Sequence, residues 1–109
     1  MPRVPHRACL HEALRLSGVT QEQQRQAEVE QILAAVEAGL CPRCQAGLRE
    51  LPAASRVTPD RCVPVCSECG SHEAVRELCL AEPEMLASWP HDASEMRAEL
   101  QAGHRRLAE

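Results

Sequence analysis

The apolar positions of residues 20–40 repeat at helical spacing. They recur every three or four positions, with glutamine and glutamate filling most of the places between them: Val29, Ile32, Leu33, Val36 and Leu40. This period is typical of an amphipathic helix. Thr20 and Gln23 form a capping-box pattern at its start, and Gly39 suits its end. The pattern therefore predicts a helix over about 21–38.

One short helix is predicted before this segment and another in the second half of the chain. The first runs from Ala8 to Ser17 and stops at Gly18. The second spans about 72–81 behind Ser71 as its N-cap. Glu73 in its first turn is well placed for the helix dipole. One face of this second helix is apolar and consists of Ala74, Val75, Leu78 and Cys79.

The C-terminal residues predict a last helix over about 93–107. Asp92 opens another capping-box pattern at its start. Its apolar stripe is narrow, is interrupted by Gly103, and consists of Ala93, Met96, Leu100 and Leu107. Pro90 disfavours the α conformation in the residue before it, so Trp89 marks a break ahead of this helix.

Prolines change the pattern between residues 48 and 65. They exclude a continuous helix there and stand at Pro52, Pro59 and Pro64. Leu48 to Leu51 and Arg56 to Val65 are predicted to pair as an irregular antiparallel hairpin. Because Pro64 cannot donate a backbone hydrogen bond, its strand belongs at an edge or a bulge. Helices around a small hairpin predict the α+β class.

Two Cys-x-x-Cys pairs flank this hairpin, and residues 45–65 separate them. Four thiolates at such spacing close a tetrahedral zinc site. We expect each pair to form a knuckle, a tight turn that aims two sulfurs at one point, with Gly70 leaving the second turn at positive φ. The predicted cofactor is one structural Zn²⁺, held by Cys41, Cys44, Cys66 and Cys69.

The composition makes the metal important for stability. Among 109 residues Trp89 is the only aromatic side chain, and Phe and Tyr are absent. Small domains with so thin a core commonly need a staple. Structural zinc contributes about 10–16 kcal/mol of apparent binding free energy in finger peptides. We therefore expect the fold to depend on zinc.

The other cysteines have less specific surroundings. In an extended strand Cys62 would lie on the side of Cys66, near the metal, but a small half-buried apolar role is favoured. Cys79 is expected to pack in the core. Cys9 has His6 and His11 nearby, and one thiol with two imidazoles is an incomplete ligand set. The sequence leaves open whether Cys62 or Cys9 contributes to metal binding. A histidine, His72, follows the second pair and is expected to be exposed in the first turn of its helix.

An enzymatic role is disfavoured. A thiol-redox centre usually begins a helix, whereas Cys41–Cys44 follows one. Four sulfurs also saturate zinc and leave no open position for a hydrolytic water. We therefore expect a protein that is not an enzyme.

Cysteine usage and the N-terminus favour a cytoplasmic protein with no membrane partner. Seven cysteines cannot all pair as disulfides, and Cys-x-x-Cys pairs in a reducing cytosol indicate metal. Residues 1–18 lack the continuous apolar run of a signal peptide. No stretch approaches the ~20 apolar residues of a membrane span.

The charge pattern favours a protein partner over a nucleic acid. The net charge is −4, which gives little attraction to phosphate backbones. The arginines near the cysteine pairs, Arg43, Arg49, Arg56 and Arg61, alternate with Glu50, Asp60, Glu68 and Glu73, so we expect a mixed, solvated surface. No Phe or Tyr can stack on bases. Trp89 is interpreted as core, packed with its apolar neighbours, rather than as a partner anchor.

Three short motifs carry a family resemblance. Ser55-Arg56, Cys66-Ser67-Glu68-Cys69-Gly70 and Glu73-Ala74 resemble the pattern of small zinc-ribbon proteins of bacteria and phages. The resemblance covers about 41–80 and implies a zinc ribbon with the metal on the four paired cysteines. Gln45, where a Gly often follows the first knuckle, and the extra Cys62 depart from that pattern.

These observations predict an α+β zinc ribbon flanked by helices. We divide the chain into an N-terminal helical segment, 1–40, the ribbon with its following helix, 41–81, and a C-terminal helical segment, 82–109. The predicted function is non-catalytic interaction with a protein or with a second copy of the chain. The apolar stripes of 20–40 and 93–107 are the expected contact surface. The alternative is a nucleic-acid-binding or transcription-associated ribbon.

Overall fold

The structure, a computed structural model, describes residues 5–49, 52–80 and 84–108. Two helices come first, α1 (Arg7–Leu16) and α2 (Glu22–Glu37), followed by a two-stranded antiparallel sheet of β1 (Ala53–Ala54) and β2 (Pro64–Val65). Helix α3 (Ser67–Val75) continues into a π-helical turn (Arg76–Leu80). A short 3₁₀ turn (Leu86–Ser88) precedes α4 (Ala93–Ala108). The α+β class is confirmed.

The two predicted N-terminal helices are present and end at the predicted glycines. Gly18 and Gly39 have φ of 95° and 77°, which only glycine adopts without steric cost. The predicted cap at Thr20 is wrong, because Gln21 occupies the N-cap position and makes no side-chain capping bond.

Helices α1 and α2 bury their apolar faces against each other and against the residues before β2. This first core contains Leu10, Leu14, Val19, Val29, Ile32, Cys62, Val63 and Leu86. The stripe of α2 that we expected to offer a contact surface is therefore largely covered. Only its last member, Leu40, is exposed.

The hairpin is irregular and shorter than predicted. Ala53 pairs with Val65 and Ala54 with Pro64, so the first strand lies later in the chain than the predicted Leu48–Leu51, whose last two residues lie outside the described part. A separate bridge joins Leu40 to Gly47 across the first cysteine pair. Pro64 lies in a two-stranded sheet, where both strands are edges.

Helix α3 begins at Ser67, five residues before the predicted start. Gly70 therefore lies inside the helix rather than at positive φ, and Ser71 is not its cap. A Cβ at Gly70 would stand 2.7 Å from the Cβ of Ala53. This glycine is thus required by the close approach of α3 to β1.

Helix α4 packs on α3. The predicted cap is confirmed, since Asp92 Oδ1 accepts the N–H of Glu95 at 3.0 Å. Gly103 does not interrupt the helix: it faces Val75 of α3, where a Cβ would overlap the valine side chain. Among the described residues, none of the helices combines the length and apolarity needed to cross a membrane.

Candidate metal centre

The four paired cysteines meet between α2, β2 and α3. Cys41 and Cys44 belong to the turn after α2, whereas Cys66 is the N-cap of α3 and Cys69 lies in its first turn. Cys41 Sγ is 3.8 Å from Cys69 Sγ, and Cys44 Sγ is 3.6 Å from Cys66 Sγ. All four sulfurs lie within 4.8 Å of one another. The structure therefore confirms that these cysteines come together.

The sulfur spacing fits a tetrahedral metal ion. Zinc–sulfur bonds of about 2.3 Å at tetrahedral angles place neighbouring sulfurs about 3.8 Å apart. The observed separations of 3.6 and 3.8 Å match this value. Cys41, Cys44, Cys66 and Cys69 could hold a metal ion.

Local hydrogen bonds prepare Cys41 to be a thiolate. The Cys66 N–H donates to Cys41 Sγ at 3.3 Å. The Cys69 thiol, with this N–H, lowers the pKa of Cys41 to about 5, while burial raises the pKa of Cys44 to about 11. Further thiolates therefore need a cation to stabilise them, and metal binding should release protons.

Arg43, between the two cysteines of the first pair, is fully buried, which contradicts the predicted solvated surface. Its Nη2 lies 2.9 Å from Glu84 Oε2 and 2.7 Å from His72 Nδ1. Its backbone oxygen accepts the N–H of His91 at 2.7 Å. This residue ties the first cysteine pair to α3 and to the segment before α4, and its charge offsets part of the negative charge of a four-thiolate centre.

His72 is also buried, so its predicted exposure is wrong. Because Arg43 has only donors, His72 Nδ1 must accept, and Nε2–H donates to Glu99 Oε2 at 2.7 Å. Burial and the Arg43 charge lower the pKa of His72. His72 therefore acts as a neutral bridge from Arg43 to α4 rather than as a metal ligand.

Glu73 links the hairpin to α3 from a buried position, not from the solvated face that we predicted. Its carboxylate accepts the Ser55 hydroxyl and the Arg56 N–H, each at 2.7 Å. Its Oε2 is also 3.5 Å from Arg43 Nε. The Ser-Arg and Glu-Ala motifs that resembled zinc ribbons therefore form one hydrogen-bonded unit beside the metal centre.

The other candidate cysteines do not belong to the four-cysteine cluster. Cys62 is buried in the first core and does not join the four-cysteine group. Cys79 is half-buried. Trp89 packs against both the first core and a second core of Cys41, Val65, Cys69 and Met96, in agreement with its core interpretation. Its indole N–H donates to Glu84 Oε1 at 3.1 Å.

Sequence reasoning missed the network of Arg43, His72, Glu73 and Glu84. The available signal was the charged residue inside the first Cys-x-x-Cys pair together with the Ser-Arg and Glu-Ala motifs. Gln45 also has a structural explanation, because its φ of 68° is a conformation in which glycine is normally favoured.

No protein-family model, no curated protein and no solved structure matches this chain. The similarity to zinc ribbons therefore rests on the motifs and on the site that they build. The structure defines a small α+β protein with four clustered cysteines that could hold a metal ion.

Proposed function

We propose that this chain is a non-catalytic zinc protein of the cytoplasm that acts as an interaction module for another protein. The four clustered sulfurs carry the proposal. A tetrahedral set of four thiolates suits zinc, and it leaves no coordination position for water or substrate. The metal is then a structural element that holds the segments around it.

The surroundings of the centre support a structural role. Arg43, Glu73 and Glu84 are buried and bonded to one another or to backbone groups. Such a network fixes the first cysteine pair, the hairpin and the segment before α4 in one arrangement. A rigid frame of this kind holds a binding surface in place. It does not make the metal reactive.

A protein partner is favoured by the state of the arginines. Arg43 is buried, Arg56 pairs with Glu77, and Arg97 pairs with Glu68. These pairings reduce the positive charge available to phosphates, in a chain whose net charge is −4. The single aromatic side chain, Trp89, is half-buried, donates its indole N–H to Glu84 and packs against both cores.

The proposed anchors are side chains left exposed by the packing. Among the described residues, Leu16 is 68% exposed and Leu78 is 71% exposed, at the end of α1 and in the π-helical turn. Exposed leucines contribute to protein contacts through burial of their apolar surface. The proposed contact surface therefore shifts from the stripes of 20–40 and 93–107 to these two positions.

A paired experiment tests this function. Tagged wild-type protein, Leu16→Asp, Leu78→Asp and the exposed control Gln24→Asp are used to capture partners from host extract and are sized alone. We expect a protein that is retained by wild type and Gln24→Asp and lost with a leucine variant, or a dimer that the same change dissociates. Titration of each protein with DNA and RNA at physiological salt supplies the opposite outcome: micromolar binding there favours the nucleic-acid function instead.

A further inference from the structure

Two segments distant in sequence bring a second set of metal-binding groups together. His6 and Cys9 lie at the start of α1, and Asp60 and Cys62 lie in the loop before β2. His6 Nδ1 is 2.9 Å from Asp60 Oδ2, and Cys9 Sγ is 3.3 Å from the same oxygen. These three donor atoms lie within 4.8 Å of one another.

Cys62 lies next to this set. Its sulfur accepts the backbone N–H of His6 at 3.4 Å. Imidazole, thiol and carboxylate groups are all established zinc donors. We propose that the chain binds a second Zn²⁺ here, through His6 Nδ1, Cys9 Sγ and Asp60 Oδ2.

The local sequence resembles the first site in its spacing. His6 and Cys9 stand three positions apart, as in each Cys-x-x-Cys pair, and Asp60 and Cys62 stand two apart on either side of Arg61, whose φ is 52°. A search for ligands near Cys9 along the sequence finds His11 instead of Asp60. Folding supplies Asp60, a donor that lies far from Cys9 in the sequence.

The second site differs from the first in its access to water. The His6 and Asp60 side chains are 70% and 35% exposed, whereas Cys9 is half-buried. A mixed donor set with one open side holds zinc less tightly than four enclosed thiolates, so this zinc exchanges with the medium. Zinc bound at this site would link α1 to the loop before β2. Because it binds the folded state, it would stabilise the N-terminal half by mass action.

Cobalt absorption tests the site in the full-length reduced protein. The chain is first loaded with a single equivalent of Zn²⁺ to fill the four-cysteine centre, and Co²⁺ is then added. We expect the visible bands of tetrahedral cobalt with a near-ultraviolet thiolate band, and metal analysis should show zinc retained. Cys9→Ser and Asp60→Asn should each weaken cobalt binding by more than about 100-fold, which exceeds the usual effect of changing a residue that only hydrogen-bonds to a ligand.

His11→Ala is the matched control, because His11 lies on α1 outside the cluster, and it should keep the wild-type spectrum. Circular dichroism with zinc in the first centre verifies that each variant is folded. A tetrahedral spectrum unchanged in folded Cys9→Ser and Asp60→Asn would assign cobalt to the four-cysteine centre and overturn the proposal. If the wild-type protein shows only the spectrum of hydrated cobalt, the proposal is also overturned. Either result concerns the second site alone. The proposed function is judged from the zinc content of the four-cysteine centre, which is measured separately.

Discussion

At the scale of single residues, the main feature is Arg43, whose fully buried guanidinium lies beside the four-cysteine cluster. Arg43 contacts Glu84, His72 and Glu73, and its side chain also interacts with Cys69. Removing one partner from a buried ionic network leaves charges without compensation. The stability of the centre therefore depends on this side chain as well as on the metal ligands.

Arg43→Leu should destabilise the zinc-loaded protein by about 3–5 kcal/mol, because Glu84 and Glu73 are left buried without their cation. Arg56→Ala is the control: it removes a solvent-exposed pair with Glu77 that is worth about 0–1 kcal/mol. Urea unfolding at pH 7 measures both. Equal losses of unfolding free energy in the two variants would show that Arg43 does not stabilise the buried network.

The turn after the first cysteine pair offers a second residue-scale prediction. Gln45 has φ 68°, and a side chain in this region costs about 1–2 kcal/mol relative to the right-handed one. Gln45→Gly should therefore raise the free energy of unfolding by about 1 kcal/mol. Ala46→Gly, at a neighbour without positive φ, should lower it. A change of the same sign in both variants would refute this explanation.

At the scale of elements, two glycines determine how closely α3 and α4 pack against their neighbours. Gly70 lets α3 lie against β1, and Gly103 lets α4 lie against α3. These contacts bring Glu99 and Met96 of α4 to His72 and Cys69. The position of α4 beside the four-cysteine cluster therefore requires that residue 103 is a glycine.

Gly103→Ala tests this packing. In an open helix the change would stabilise by about 1 kcal/mol, but here the new Cβ overlaps Val75, and overpacking costs about 1–3 kcal/mol. We expect a lower unfolding midpoint in the zinc-loaded protein. Gly47→Ala, where nothing lies within 4 Å of the added Cβ, serves as the control. A Gly103→Ala protein as stable as wild type would mean that α4 does not pack this closely.

The elements that the sequence predicts well are those specified locally. Helices α1 and α2 end at the predicted glycines, α4 begins at the predicted Asp92 cap, and the four-cysteine cluster follows from the spacing of the cysteine pairs. The start of α3 was misplaced because Cys66–Gly70 was interpreted as a turn. The buried state of Arg43 and His72 could not be predicted, since it depends on partners distant in sequence: Glu84, in the segment before α4, and Glu99 of α4.

At the scale of the whole molecule, the metal centre lies where the N-terminal helices, the hairpin and the C-terminal helix meet. The second core contains Cys41, Cys69, Val65 and Met96, so two of the four clustered cysteines form half of its buried residues. Trp89 packs against this core and the first. A molecule with so few large apolar residues should lose its cooperative structure when a ligand is lost.

Thermal unfolding of Cys44→Ser beside Cys79→Ser, with zinc measured on the same samples, tests this central claim most directly. Cys44 belongs to the four-cysteine cluster, whereas Cys79 is a half-buried cysteine outside it. We predict that Cys44→Ser loses the tightly bound zinc and the cooperative transition. Cys79→Ser should keep both at a cost of about 1–3 kcal/mol. A Cys44→Ser protein with wild-type zinc and a wild-type transition would contradict the account.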